Sequence, residues 1–285
     1  MAYIVSGPAV PTPLLKQLAK TVGAHAIRGL GDEIFRLEGG QPEAADAARE
    51  QAGNAQTDCL WVPEARRPDD FGLLVMDMDS TLITIECIDE IADLAGLKPR
   101  VAEITAAAMR GELDFAQSLR QRVKLLAGLP ESVLETVYTQ RLKITPGGEI
   151  MLRRLHAAGL RSLLISGGFT YFTQRLQARL GLTASVANSL EIHQGKLTGE
   201  VLGEIVDAQA KADHLQSLRE HLGLRPEQVV AIGDGANDLR MLAAAGLSVA
   251  FHAKPVLQAQ ASHAINHGNL DTLSALLGAD APYAS

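Results

Sequence analysis

Two cysteines, Cys59 and Cys87, are all that the 285 residues contain. They are far apart and form no paired-cysteine motif, which excludes a disulfide framework and a thiolate metal site. Their pattern fits a reducing cytoplasm and a packing role. The histidines, His193 and His214 among them, show no ligand spacing. No apolar run reaches the roughly 20 residues that a membrane-spanning helix needs. The stretch from Met1 to Pro8 has no positively charged region, so no secretory signal is expected and a cytoplasmic location is. Basic residues are also outnumbered: Lys and Arg total 26 against 33 Asp and Glu, for a net charge of -7. That balance argues against general binding to nucleic acid or to a membrane surface, while leaving room for a local anion pocket. There is no internal repeat and no low-complexity tract, which excludes a solenoid. With 47% hydrophobic and 21% charged residues, the chain reads as an ordinary globular protein. Its length suggests about two domains and permits a sizeable core.

The stretch that organises the chain runs from Phe71 to Thr81. Its apolar residues, Leu73 to Met76, stop abruptly at Asp77-Met78-Asp79. A short aliphatic run bounded in this way reads as a buried strand. Its carboxyl end is where open α/β sheets place ligands. Two neighbouring carboxylates repel each other unless a cation or a proton joins them, and Mg²⁺ is the usual hard cation for oxygen ligands. On its own the pair reads equally well as a solvated acidic turn.

Upstream, residues 1–68 are expected to form a separate small unit. Tyr3 to Ser6, Ala24 to Arg28, Glu33 to Leu37 and Thr57 to Val62 read as strands. The segments 14–22 and 42–52 read as helices. The order β-α-β-β-α-β is that of a ferredoxin-like α+β module. In this order it resembles an ACT domain, a fold often used to bind amino acids and to dimerise. The loop after the first strand, from Pro11 to Leu15, lacks the Asp and Gly of the usual ACT ligand pattern. The expectation is therefore a structural role, or a homodimer through this module. Pro63 to Asp70 reads as a linker.

Residues 69–285 are expected to form an α/β domain. Four short helices in about 84–144, the fourth over 130–142, interrupt it just after the first core strand, as a lid over the sheet edge would. Thereafter strands, among them separate short ones at 184–187 and 190–193, alternate with helices, which implies a doubly wound, mainly parallel sheet. Two more core strands run into polar turns, 160–165 into Ser166-Gly167-Gly168 and 229–232 into Gly233-Asp234, with Asp238 four residues on. In a parallel sheet all carboxyl ends share one edge, so Asp77, Asp79, Ser166, Asp234 and Asp238 can converge. Glycine-rich helix starts suit a phosphate, and Lys211 can add a point charge. These groups assemble into phosphoryl transfer to a carboxylate. Asp77 is the nucleophile, Asp79 the acid and base, Asp234 a metal ligand and Asp238 its supporting partner.

Asp77-Met78-Asp79-Ser80-Thr81, Ser166-Gly167-Gly168, Lys211 and the run Gly233 to Asp238 resemble, in order, the four motifs of the haloacid-dehalogenase phosphatase superfamily. Within it, Glu86 to Glu90, Asp114 to Val123, Ser166 to Phe169 and Gly195 to Gly199 are similar to the phosphoserine phosphatase family. The likeness spans about 71–270. It implies a Mg²⁺ held by Asp77, Asp79 and Asp234. It also implies a substrate site in which Glu86 receives an ammonium and Arg122 a carboxylate. Met109 and Phe115 would close the lid, and Ser166, Gly167, Lys211 and Asn237 would hold the phosphate. The implied reaction is hydrolysis of O-phospho-L-serine, the last step of serine biosynthesis. Two other readings remain open: a phosphatase for another small monoester such as phosphohomoserine, and a receiver-like switch that keeps a phosphorylated aspartate. Read without the family, Glu86 and Arg122 are ordinary helix-surface charges, and Met109 and Phe115 are lid core.

Overall fold

The computed structural model describes residues 1–63 and 67–279. Part of the expected linker, 64–66, and the end of the second expected domain, 280–285, lie outside them. The N-terminal unit runs β1 (Ala2–Ser6), α1 (Thr12–Val22), β2 (Ala26–Gly31), β3 (Ile34–Glu38), α2 (Ala45–Gly53) and β4 (Asp58–Val62). Its four strands form an antiparallel sheet in the order β2-β3-β1-β4, the ferredoxin-like arrangement. Residues on β1 alternate between faces, as a strand requires. Tyr3 and Val5 pack against α1 and α2 with Leu18, Val22, Ala48 and Ala52.

The opposite face of this sheet is buried as well. Ile4, Ile34, Leu60 and Val62 belong to one continuous apolar cluster with Met151 and Leu155 of α7 (Gly148–Ala157) and with Leu273 and Leu276 of α12 (Thr272–Leu276). The unit is therefore built into the main core rather than tethered beside it. Polar contacts fix the seam. The Asp58 carboxylate accepts the backbone N–H groups of Asn266, His267 and Gly268 at 2.8–3.1 Å. Three successive donors around one anion form a charge-assisted nest. Arg36 donates to the Ala275 carbonyl at 3.0 Å, and the His263 ring lies 3.1 Å from the Trp61 carbonyl.

The main sheet has seven strands in the order β11-β10-β9-β5-β6-β7-β8. They are β5 (Leu73–Met76), β6 (Arg161–Phe169), β7 (Ala184–His193), β8 (Lys196–Leu202), β9 (Val229–Gly233), β10 (Leu247–Phe251) and β11 (His263–Ile265). All pairings are parallel except β7 with β8. On β5, Leu74 and Met76 join one apolar cluster, while Leu73 and Val75 join another on the opposite face. Burial on both faces explains the uninterrupted apolar run. The connecting helices are α8 (Thr170–Leu180), α9 (Ala208–His221), α10 (Leu239–Ala243) and α11 (Pro255–Gln258).

The lid contains α3 (Cys87–Leu94), α4 (Lys98–Met109), α5 (Phe115–Lys124) and α6 (Ser132–Thr136). The fourth expected helix, 130–142, is shorter than its apolar spacing suggests and passes into a wider turn over Val137–Arg141. The lid leaves and re-enters the core through two adjacent strand-like segments. Ile83 bridges Ile144, Thr84 N–H donates to the Lys143 carbonyl, and Thr145 N–H donates to the Leu82 carbonyl. Two other expectations change. Strand β6 continues through Ser166–Phe169, although its register with β7 shifts between Ile165 and Phe169. The separate strands expected at 184–187 and 190–193 are one, β7, which pairs first with β6 and then with β8.

Removing the anion at the seam leaves three backbone donors without their acceptor. Asp58→Ala is expected to lower stability by about 1–3 kcal/mol. That loss should appear as a melting temperature lower by about 2–4 °C per kcal/mol. A melting curve identical to that of the parent protein would show that the nest contributes nothing.

Candidate active site

Strands β9, β5 and β6 are immediate neighbours, so their carboxyl ends form one continuous edge. After Met76 the chain leaves the sheet in an irregular turn over Met78–Leu82, where Ser80 takes a left-handed conformation at φ 56°. That turn separates the two aspartates. Asp77 sits at the sheet edge and is 4% exposed. Asp79 accepts the Cys87 N–H at 3.0 Å at the first turn of α3, and its other oxygen lies 3.5 Å from the Ser166 hydroxyl.

Lys211, from the first turn of α9, is almost wholly buried and donates to Asp77 and to Asp238, each at 2.7 Å. Asp207 caps this helix by accepting from the N–H groups of Gln209 and Ala210, which fixes the stem of the lysine. Asp238 also accepts the Gly235 N–H at 3.1 Å. Asp234 accepts the Thr81 hydroxyl at 3.1 Å.

A cavity of about 150 Å³ opens above these groups. Asp77, Asp79, Glu86, Phe115, Arg122, Ser166, Gly167, Asp234 and Asn237 line it. Lys211 and Asp238 lie beneath it, in contact with Asp77 or with each other. Met109 is not brought in: it ends α4 with 71% of its surface exposed. Phe115, placed by the Asp114 and Gln117 capping box, presses on the glycine turn so closely that a Cβ at Gly167 would lie 2.7 Å from its ring. A Cβ at Gly168 would lie 2.6 Å from the Asp79 carboxylate. Both positions need glycine for close approach rather than for an unusual backbone angle. On the lid side, Glu86 accepts the Ser80 hydroxyl at 2.7 Å. The Arg122 guanidinium makes only a long bond, 3.4 Å from Nε to the Ser118 carbonyl, so its terminal nitrogens have no hydrogen-bond partner among the described residues.

The charges are unbalanced. Carboxylate oxygens of Asp77, Asp234 and Asp238 lie within 4.8 Å of one another, against one ammonium. Burial works to lower the Lys211 pKa, but Asp77 and Asp238 outweigh it and hold the ammonium above its usual range. Burial raises Asp77 well above the carboxylate range, and Asp238 adds to the rise, while Lys211 opposes it. Asp234 is pushed up to about 6 by burial and then by Asp238. Asp79 is raised by burial, against the Cys87 N–H bond that favours its anion. Glu86 reaches solvent at the cavity mouth, yet it is pushed up to about 7 by burial under the lid and by Asp79. Burial lowers Arg122, opposed by Asp89, Glu86 and Asp79.

An all-oxygen cluster short of positive charge suits a hard divalent cation. Asp77 and Asp234 face the cavity and can hold one, with Asp238 behind them. The Asp79 carboxylate stands outside the close set. The sequence reading missed the supporting groups: the Thr81 and Ser80 hydroxyls, the Cys87 N–H and the charge of Asp89. Thr81 and Ser80 sit inside the quoted motif, but the partner of Thr81, Asp234, is distant in sequence, and Glu86 meets Ser80 only through the irregular turn between them.

Residues 74–243 match the family model described as haloacid dehalogenase-like hydrolase. A phosphoserine phosphatase of Idiomarina loihiensis is 55% identical over 199 residues, covering 70% of this chain and 90% of that protein. The solved structure of a probable phosphoserine phosphatase from Vibrio cholerae, in unliganded form, superposes with a TM-score of 0.85 at 40% identity. It covers 98% of this chain and 87% of that one. A substrate-bound phosphoserine phosphatase complex superposes with a TM-score of 0.66 at 41% identity, covering 70% of this chain and 95% of that one.

Raised carboxylate pKa values mean that protons and a cation compete for the same oxygens. A group whose pKa is raised in the fold adds stability at low pH and loses it as pH rises through the folded value. A bound cation should restore that loss. Mg²⁺ is therefore expected to raise the melting temperature more at pH 8 than at pH 5.5, below the Asp234 value of about 6. An equal rise at both pH values would show that these carboxylates do not bind the ion.

Proposed function

This chain belongs to the haloacid dehalogenase-like hydrolase family, and from that premise we propose that it hydrolyses O-phospho-L-serine to L-serine and phosphate. The observation that carries the reading is the content of one small cavity. A buried carboxylate held by lysine lies at its floor, and a cation, Arg122, and an anion, Glu86, stand on its lid side. A phosphorylated amino acid presents the matching set: a phosphate, a carboxylate and an ammonium. Relatives that share half of their residues with this chain over most of their length carry the name phosphoserine phosphatase.

Asp77 attacks phosphorus and forms an aspartyl phosphate. Lys211 holds one Asp77 oxygen, which orients the other toward the cavity and offsets part of the charge repulsion between carboxylate and phosphate. Burial favours the protonated form of Asp79, so it can give its proton to the departing serine oxygen. The resulting carboxylate then takes a proton from the water that cleaves the aspartyl phosphate. The Cys87 N–H holds one oxygen of Asp79, which leaves the other for this exchange. Ser166 and the glycine turn bind the phosphate with Asn237 nearby, and Phe115 excludes water above them. Asp77 and Asp234 would hold Mg²⁺, which would supply positive charge opposite the transferring phosphate. Arg122 takes the substrate carboxylate and Glu86 the ammonium. The reaction places the protein at the last step of serine biosynthesis. Met109 contributes only when α4 moves inward over the substrate.

For the N-terminal sheet, a structural role is favoured over effector binding, because its open face is already covered by α7 and α12. A homodimer through this unit is confined to the β2 edge and the outer sides of α1 and α2.

Phosphate release from L-phosphoserine, phosphohomoserine, phosphoethanolamine and p-nitrophenyl phosphate, each with Mg²⁺ and with EDTA, tests the assignment. A Mg²⁺-dependent preference for phosphoserine is expected; equal turnover of all four removes the substrate assignment. Asp77→Asn is expected to abolish turnover of every ester, and full activity in that variant removes the nucleophile. Arg122→Ala is expected to raise KM for phosphoserine by about 10- to 100-fold, the worth of a charge-assisted hydrogen bond. It should spare p-nitrophenyl phosphate, which has no carboxylate, so equal losses on both substrates argue against the clamp.

A further inference from the structure

Asn188 lies on β7, outside every motif that marks the site, and only 1% of its surface is exposed. Its amide bonds in two directions. Nδ2 donates to the Gly167 carbonyl at 2.8 Å, and Oδ1 accepts the Val206 N–H at 2.8 Å. A carbonyl only accepts and a backbone N–H only donates, so these partners set the orientation of the amide.

Each bond reaches one arm of the phosphate-binding apparatus. The peptide between Gly167 and Gly168 is held at both ends: its carbonyl by Asn188, and its N–H by the Ser166 hydroxyl at 2.8 Å. The register between β6 and β7 shifts between Ile165 and Phe169, so regular strand pairing does not hold this turn. Two successive glycines there would otherwise be loose. Val206 immediately precedes Asp207, the cap of α9, and Lys211 N–H bonds to the Asp207 carbonyl at 3.0 Å. Its side chain then reaches Asp77 and Asp238.

We propose that Asn188 is a positioning residue that sets the spacing between the Ser166–Gly167 turn and Lys211, and so the fit of the site to a phosphoryl group. The proposal rests on the reading of that turn and lysine as the phosphate site. Asn188 does not line the cavity. Its effect comes through the two main-chain segments it joins.

Two variants separate the arms. Asn188→Asp keeps the shape and the acceptor for Val206 but sets a carboxylate oxygen against the Gly167 carbonyl. Asn188→Ala removes both bonds. Inorganic phosphate is used as a competitive ligand in the presence of Mg²⁺, and its binding to the full-length protein is also measured by calorimetry. In both variants phosphate affinity is expected to weaken by about tenfold or more, since small misplacements at a reacting centre carry large costs. The kcat/KM for phosphoserine and for p-nitrophenyl phosphate should fall by the same factor, because the phosphate is what the two share. This contrasts with the selective effect of Arg122→Ala. Folded variants with parent-like phosphate affinity and parent-like kcat/KM on both esters would overturn the proposal. Amide hydrogen exchange in the parent protein gives a test that no folding defect can obscure. The Val206 N–H has the Asn188 amide as its acceptor and should be strongly protected; exchange at the rate of an open loop would overturn the proposal. If the parent protein hydrolyses none of the esters, the functional reading fails, while phosphate binding and Val206 protection still decide the role of Asn188.

Discussion

Three carboxylates and one ammonium, crowded at the carboxyl edge of a buried parallel sheet, are the constraint on which the rest of the structure depends. Like charges within 4.8 Å of one another are costly away from water. Lys211 offsets part of that cost by bonding both Asp77 and Asp238. What remains favours a cation, whose charge in turn lets the edge accept a phosphate, the other species that a phosphatase must hold there. The same imbalance would weaken a protein with a poor core. Here both faces of β5 are packed, and the N-terminal sheet adds its own buried face to the same apolar cluster.

The sheet order converts this charge cluster into a site. Because β9 and β6 flank β5, Asp234 and Ser166 are delivered to either side of Asp77 by the strand ends themselves. The lid then completes the cavity from one side. Its chain leaves and returns beside β5, and α5 carries both Phe115 and Arg122, two turns apart on the helix. The other side of the lid is stitched to the β7–β8 hairpin: Gly128 and Glu131 N–H groups donate to the carbonyls of Leu197 and Gly195, and Leu197 N–H donates back to Leu129. The exposed end of α4, with Met109, lies apart from these bonds.

Much of this was legible in the residues. Apolar runs that end in Asp77, Ser166 and Asp234 announced strands of a parallel sheet, because burial on both faces removes the polar alternation. Glycines and prolines marked the helix limits. The ferredoxin-like order followed from alternating short strands and two helices. Other features depended on partners distant in the chain. Nothing local shows that Ile4 and Leu60 pack on Leu273, or that Asp58 caps three N–H groups more than 200 residues later. The strand resumes at Phe169 in spite of two glycines because Asn188 and the Ser166 hydroxyl hold the Gly167–Gly168 peptide and Phe169 pairs again with Asn188. The fourth lid helix fell short of its apolar spacing, since packing overrides periodicity in a segment of barely three turns.

The sequence by itself determined the chemistry: which carboxylates, hydroxyls and cations are present, and that they lie at strand ends sharing one edge. It could do so because covalent order and a period of two or of 3.6 residues are local properties. Only the tertiary structure decided which oxygen faces which charge. It turned Asp79 toward Cys87 and left it outside the close set of Asp77, Asp234 and Asp238, buried Lys211 between Asp77 and Asp238, and left Met109 exposed. It also drew Asn188 into the gap between Gly167 and the segment that leads into α9. Those outcomes depend on distances between segments far apart in the chain, which are settled only when the sheet, the lid and the N-terminal unit close on one another.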